Sequence, residues 1–408
     1  MVEGVLGVAG GPEVSTLLDE LTTLTGRKDP YPRYARLRRI SAIVRAEDDA
    51  LVVTRYADCA AVARDPRFVH MPPDMLAFLG YPDWAEGPAL GQMFRSMLVL
   101  NPPDHTRLRR LVSGAFTARR VQALRPAVAR MVDDLLDAMT GEVDFIGAFA
   151  FPLPVNVIGE LLGVPAEDRA QFQPLVRDWT QIMEVLTPDV VSHADRAAAA
   201  IRDYLADLVA QRRRRPSGDL ISALIAEGEV GDRLSEDELI TMSGLLFAAG
   251  FETTSNLLAN SLAALLAHPE QLRLLRERPD LGQAAVEELV RFDSPVQLIT
   301  RVVADPVELG GTEVAEGERV VAYLGAGNRD PERFADPDEL RLDRADNAPL
   351  SFGGGIHYCL GAPLARLEAQ VALPALARRF PRLALAGAPE HRDSLSIKGF
   401  SRLPVDTG

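Results

Sequence analysis

Cys359 is one of only two cysteines in 408 residues, and its surroundings, residues 351–366, read S-F-G-G-G-I-H-Y-C-L-G-A-P-L-A-R. Gly353, Gly354 and Gly355 precede it and Gly361 follows two residues later. Glycine accepts positive φ and lets a backbone lie close to a large flat body. Beyond Gly361, the apolar residues Leu364, Leu367, Val371 and Ala372 recur at helical spacing. The thiol thus stands just before a helix N-terminus, whose N–H groups and partial positive charge favour a thiolate. Such a sulfur suits a soft or redox-active metal. Zinc and iron–sulfur sites need several thiolates or imidazoles together. The six histidines (His70, His105, His193, His268, His357, His391) are not spaced with Cys359 as a zinc site requires.

Two further groupings carry chemistry. His105 and Arg109 lie four apart on one helix face, with Leu108, Leu111 and Val112 on the buried side and Asp104 placed to cap. Together they form a fork for carboxylates. Ala249-Gly250-Phe251-Glu252-Thr253-Thr254 sits in the middle of an apolar stretch that runs unbroken by proline from a Ser235/Glu238 capping box to His268-Pro269. That is a helix of about 32 residues and ~48 Å. Gly250 and two β-branched threonines weaken its centre, which predicts a local distortion with a purpose.

One axial thiolate on haem iron needs no second protein ligand, and here the sequence resembles a known family. Phe352-x-x-Gly355-x-x-x-Cys359-x-Gly361 is similar to the haem-binding signature of the cytochrome P450 family, and His357 looks like the variant of its bacterial members. The resemblance spans roughly residues 30–405 and is nearest to actinobacterial natural-product tailoring members. It implies haem b held by Cys359 as the axial ligand, with Phe352, Gly353, His357 and Gly361 in the haem loop and His105, Arg109 and Arg301 on the propionates. Ala249, Gly250, Glu252 and Thr253 match the family's small-Gly-x-acid-Thr pattern. By that match Gly250 opens a groove for dioxygen, Thr253 orders a water at the bound oxygen, and Glu252 helps feed protons inward. Glu288-x-x-Arg291 resembles a buried ion pair whose third member is Arg344, by its spacing from Cys359, rather than Arg333. The oily, proline-broken stretch from His70 to Leu100 would shape the substrate pocket, and 172–191 would form a mobile lid. Phe94, Met97, Trp179, Met183, Leu245, Leu298, Ile299 and Phe400 are the expected pocket residues.

The elements that must position these groups follow. The resemblance implies one mainly α domain over residues 1–408 with a small β portion, the haem lying between the long central helix and the cysteine loop. Residues 1–28 are Gly-rich and weakly patterned and predict a loose lead-in. Residues 42–54 predict a hairpin turning at Asp48-Asp49, and 307–321 a second β region turning at Gly310-Gly311 and Glu316-Gly317. Cys59 lies in a small-residue helix and reads as a packing residue.

Composition bounds the rest. A net charge of −14 argues against a nucleic-acid binder. No run of 18 apolar residues, no basic leader and no disulfide framework predict a cytoplasmic protein without a membrane span. The function implied is a monomeric haem-thiolate monooxygenase that inserts one oxygen atom of O2 into a largely apolar, polyketide- or macrolide-like molecule. Electrons would come from a separate ferredoxin and its reductase, with Arg107, Arg110 and Arg366 as a basic patch for an acidic partner. The alternatives are a peroxide-driven peroxygenase and a haem-based sensor.

Overall fold

In the computed structural model residues 8–227 and 232–408 are described; the first seven residues of the lead-in and residues 228–231 lie outside them. The axis of the fold is the helix Glu236–Ala267, α-helical over all 32 residues. The Ser235 hydroxyl accepts from the Glu238 N–H at 3.2 Å, and the Glu238 carboxylate accepts from the Ser235 N–H at 2.8 Å. This reciprocal cap satisfies two otherwise orphaned donors. The expected distortion does not interrupt the helix. Thr253 and Thr254 instead donate to the carbonyls of Ala249 and Gly250 at 3.2 and 3.1 Å.

Helices Pro152–Leu162, Phe172–Thr180, Pro188–Arg214, Gly282–Phe292 and Ala362–Arg379 surround this axis and share one large apolar core with it. A six-stranded sheet stands to one side, in the order Val8–Ala9, Ile43–Arg45, Leu51–Val53, Arg319–Ala322, Ile299–Val303, Phe68–Val69. Its register pairs Arg301 with Val320 and Val69 with Val302. Gly310 and Gly311, at φ 55° and 78°, turn the hairpin between Val307–Leu309 and Thr312–Val314. Such angles at both central positions suit the right-handed twist of a two-residue hairpin.

Two expectations are corrected. The lead-in is not loose beyond Gly11, because Pro12–Thr22 and Leu24–Lys28 are helices. Val14, Leu17 and Leu21 are buried with Tyr34, Leu37 and Tyr323, and each such side chain contributes roughly 1.5–3 kcal/mol. The 70–100 stretch is not wholly irregular either: Pro88–Phe94 is helical, and the Ala89 carbonyl accepts from the Trp179 indole at 3.2 Å.

A buried ion cluster ties the Gly282–Phe292 helix to the chain leading into the cysteine loop. Arg291 donates to both Glu288 oxygens at 2.7 and 2.8 Å, and both residues are fully buried. Arg344 Nε adds contacts of 3.2 and 3.0 Å to the same carboxylate. Arg333 pairs with Asp346 instead.

Candidate haem and oxygen site

The cysteine loop is closed by its own backbone. The Gly353 N–H donates to the Leu350 carbonyl at 2.7 Å, and the Cys359 N–H to the Phe352 carbonyl at 2.9 Å. Gly353 and Gly355 take φ 70° and 59°, a region costly for side chains. A Cβ on Gly355 would stand 2.9 Å from the Ala63 carbonyl oxygen, and one on Gly354 2.7 Å from Arg64. Glycine at these two positions is required by the helix Tyr56–Arg64 that the loop lies on, not by a flat body on its other side. Gly361 is the glycine beside the sulfur, its Cβ position 3.9 Å from Cys359 Sγ. Arg366 lies over the Phe352 ring at 4.2 Å.

Cys359 keeps accessible surface, yet crowding around its sulfur removes solvent and raises the thiol pKa. The N–H groups of Gly361 and Ala362 and the cations Arg109 and Arg366 oppose this without reversing it. The helix terminus alone therefore does not secure the expected thiolate; that falls to whatever metal the sulfur meets.

Beside the loop is a collection of groups able to carry positive charge. His105 is 1 % exposed, with its ring centroid 4.1 Å from that of His357. His357 is in turn 4.5 Å from His70. Neither nitrogen of His105, nor Nε2 of His70, has a hydrogen-bond partner among the described residues. Arg301 is 7 % exposed and donates to the Thr300 carbonyl, while Arg109 reaches the Tyr358 carbonyl at 2.7 Å. Burial first, then Arg301, His357 and His105, push His70 down to about 2. Burial, His105, Arg301 and Arg109 push His357 to about 3. Burial alone lowers Arg301 to about 10. Every charged neighbour named here is cationic and the lowered imidazoles stay neutral, so the cluster sets two guanidiniums beside buried ring nitrogens without partners.

On the long helix Ala249 is exposed and Thr253 half-buried, although residues 239–248 and 254–262 are buried throughout. This opening in the middle of a buried helix lies at Ala249, Gly250 and Thr253. Gly250 beside them is half-buried as well, and a Cβ there would lie 2.9 Å from Ile158, so its missing side chain also admits the neighbouring helix Pro152–Leu162. Glu252 is turned elsewhere. Its Oε1 accepts from Arg392 Nη2 at 2.6 Å and its Oε2 from the Thr180 hydroxyl at 3.0 Å.

The expected pocket residues divide. Trp179 is fully buried and belongs to the core beside Ala89, so it is corrected out of the pocket. Met97, Leu245 and Phe400 are buried, Phe94, Leu298 and Ile299 partly so, and Met183 is exposed. Leu298 packs with the N-terminal helices and Ile299 with the sheet. Phe400 lies against the His391 ring, and the turn before it is fitted to the long helix: a Cβ on Gly399 would stand 1.8 Å from Asn256 Oδ1. The basic patch is also corrected. Arg107 pairs with Glu238, Arg110 with Asp232, and Arg366 with Glu287 at 2.5 Å, so each of its three cations already has a carboxylate partner.

Three residues of this region escaped the sequence reading: His70, Thr180 and Arg392. His70 follows a two-residue strand and comes beside Arg301 only through the pairing of Val69 with Val302. Thr180 and Arg392 are 72 and 140 residues from Glu252. No local pattern announces any of them.

A family profile described as Cytochrome P450 matches residues 78–404. Cytochrome P450 107B1 of Saccharopolyspora erythraea is 44 % identical over 399 residues, covering 93 % of this chain and 96 % of that one. The 6-deoxyerythronolide B hydroxylase of the same organism is 39 % identical over 407 residues, covering 96 % and 99 %. Among solved structures, ligand-free CYP164A2 of Mycobacterium smegmatis superposes with a TM-score of 0.85 at 40 % identity, covering 96 % of this chain and 99 % of that one.

Proposed function

The chain belongs to the cytochrome P450 family and is a monooxygenase of it; from there we propose that it places one atom of O2 into a largely apolar, macrolide- or polyketide-like molecule, using electrons from a separate ferredoxin. The single observation that carries the site assignment is the cluster of His70, His105, Arg301 and Arg109 around His357, with ring nitrogens left unpartnered, two residues from the lone accessible thiol. Unpartnered buried donors are costly until an acceptor meets them. A flat prosthetic group carrying two carboxylates fits this donor set, and haem b is such a group.

In this reading Cys359 would supply the sulfur ligand to the iron, and His105, Arg109, Arg301 and His357 would hold the carboxylates. When bound, the haem supplies the one-electron and dioxygen chemistry that no side chain can provide. The rest falls to the chain. Ala249 leaves room at the middle of the long helix. Thr253, whose hydroxyl already donates to the Ala249 carbonyl, is placed to orient a water or a hydroxyl proton on that open face. A threonine is too weak an acid to be the source of the proton, so its role is orientation. Glu252 is the nearest carboxylate in sequence and serves as the carrier from outside. The protein is proposed to act in the cytoplasm; no helix among the described residues is long and apolar enough to cross a membrane.

The macrolide-like substrate is supported by the named activity of the 6-deoxyerythronolide B hydroxylase, which this chain resembles over nearly its whole length. The test of the site is the absorption difference spectrum of dithionite-reduced protein with and without carbon monoxide. A strongly red-shifted Soret band, lost in Cys359→Ala and Cys359→His, is expected. Its absence from folded, haem-reconstituted protein would remove Cys359 as the axial ligand and the oxygenase reading with it.

A further inference from the structure

The Glu252 carboxylate does not stand free on the open face of the long helix. It is gripped from two other elements: Arg392, in the turn between the strands Glu390–His391 and Phe400–Arg402, and Thr180, at the end of the helix Phe172–Thr180. Glu252 is 7 % exposed, so the contact with Arg392 is well shielded from salt. The Thr180 hydroxyl has a second acceptor within reach, the Val176 carbonyl at 2.9 Å. One proton cannot serve both, so this hydroxyl can release Glu252 without losing a hydrogen bond.

The same two elements are joined a second time. Glu184, just beyond Thr180, accepts from the Ser394 hydroxyl at 2.6 Å, from the Ser396 hydroxyl, and from the N–H of Leu395 at 3.1 Å. The 392–396 turn is therefore held at one end by the segment after the Phe172–Thr180 helix and at the other holds Glu252. Moving that segment moves the turn, and the turn carries the cation that fixes the carboxylate.

We propose that Arg392 is a positioning residue that restrains Glu252 while the Glu184 contacts are made, so that the position of the 172–184 segment governs when Glu252 can turn toward the Thr253 face. This rests on the assignment of Glu252 as proton carrier given above. Arg392 and Thr180 each hold one oxygen of the carboxylate where it now stands, while the Thr253 hydroxyl is turned to the Ala249 carbonyl. Delivery of a proton then requires the Arg392 contact to open.

The experiment uses the full chain with haem, dioxygen, ferredoxin and reductase, comparing wild type with Arg392→Ala, Arg392→Lys, Glu184→Gln and Glu252→Gln. Two quantities are read: the solvent deuterium isotope effect on turnover, and the fraction of electrons released as hydrogen peroxide. If the closed contact is the rapidly sampled ground state that makes the proton transfer limiting, Arg392→Ala speeds that transfer, lets other steps limit turnover and reduces the isotope effect roughly two-fold toward unity. Arg392→Lys, which keeps a cation, falls between it and wild type. Glu184→Gln shifts the isotope effect the same way, although its carboxylate is engaged by the 394–396 turn and not by Glu252. Arg392→Ala and Glu184→Gln matching wild type while Glu252→Gln changes both quantities would overturn the restraint and leave Glu252 as carrier. Glu252→Gln matching wild type would overturn the carrier role and the restraint together. Loss of the carbon-monoxide band in wild type would instead overturn the haem-thiolate reading.

Discussion

Arg344 places its Nε 3.2 and 3.0 Å from the two oxygens of Glu288, 56 residues earlier in the chain. Arg291 already donates to both oxygens, the Arg341 N–H adds a contact at 2.9 Å, and Asn347 another at 3.0 Å. One carboxylate thus closes a knot of donors below the cysteine loop. Glu288→Gln leaves two buried guanidiniums without their counter-charge, and a loss of about 3–5 kcal/mol in urea unfolding is expected. Arg333→Ala breaks a pair whose Asp346 is largely in solvent and the contacts of the guanidinium with the Tyr56 and Phe334 rings, so a change of about 1–2 kcal/mol is expected. Equal losses in the two variants would refute the assignment of the third member.

This knot also marks how far the sequence could be read. Glu288 and Arg291 are neighbours on a helix, so their contact follows from spacing alone, and the cysteine loop is likewise a continuous run. The Ser235/Glu238 cap and the 32-residue helix were legible for the same reason. His70 was not, because strand pairing across more than two hundred residues brings it to Arg301. The helix Pro12–Thr22 was missed because its amphipathic face is short and gains its meaning only against Tyr34 and Tyr323. Trp179 misled in the opposite sense: large and apolar in a stretch expected to be a lid, it fills the core while Met183 beside it is exposed. Spacing shows what shares a face, and says little about which partner that face will find.

Thr253 is the side chain at the opening of the long helix. Thr253→Ala is expected to lower product formed per dioxygen consumed by roughly 10-fold, with the missing electrons appearing as peroxide. Thr253→Ser keeps the hydroxyl and recovers most of the yield. Unchanged coupling in Thr253→Ala would remove the orienting role.

His70 makes stability depend on pH in the haem-free protein. Folded, it resists protonation down to about 2; unfolded, it titrates at its ordinary value of 6.5. The unfolded state therefore takes up the proton first, and stability falls as pH drops below 6.5. His70→Phe flattens that dependence. Urea midpoints at pH 7 and pH 5 for the two proteins check it, and parallel slopes would count against it.

Glu368 is 1 % exposed, and neither carboxyl oxygen has a hydrogen-bond partner among the described residues. Burial raises its pKa well above the ordinary 4.5. The unfolded carboxyl ionises above 4.5 while the folded one stays protonated, so this group costs stability increasingly as pH rises past that point. Glu368→Met is expected to stabilise by about 1–3 kcal/mol at pH 7, and by less at pH 4. Thermal unfolding at both values decides; destabilisation at pH 7 would show that the carboxyl has a structural use.

Gly399 leaves no room for a side chain against Asn256, and Asn260 binds the Lys398 carbonyl at 3.1 Å. The end of the C-terminal turn is thereby keyed to the long helix, whereas Asp393 has a side chain 79 % exposed. Directed evolution aimed at new substrates would find the two ends of this turn unequal. Variation at 399 would be eliminated as misfolded protein whatever the molecule offered, while the exposed position 393 could be diversified at the loss of one surface ion pair with Arg27. Adaptive change in this turn is channelled toward its tip.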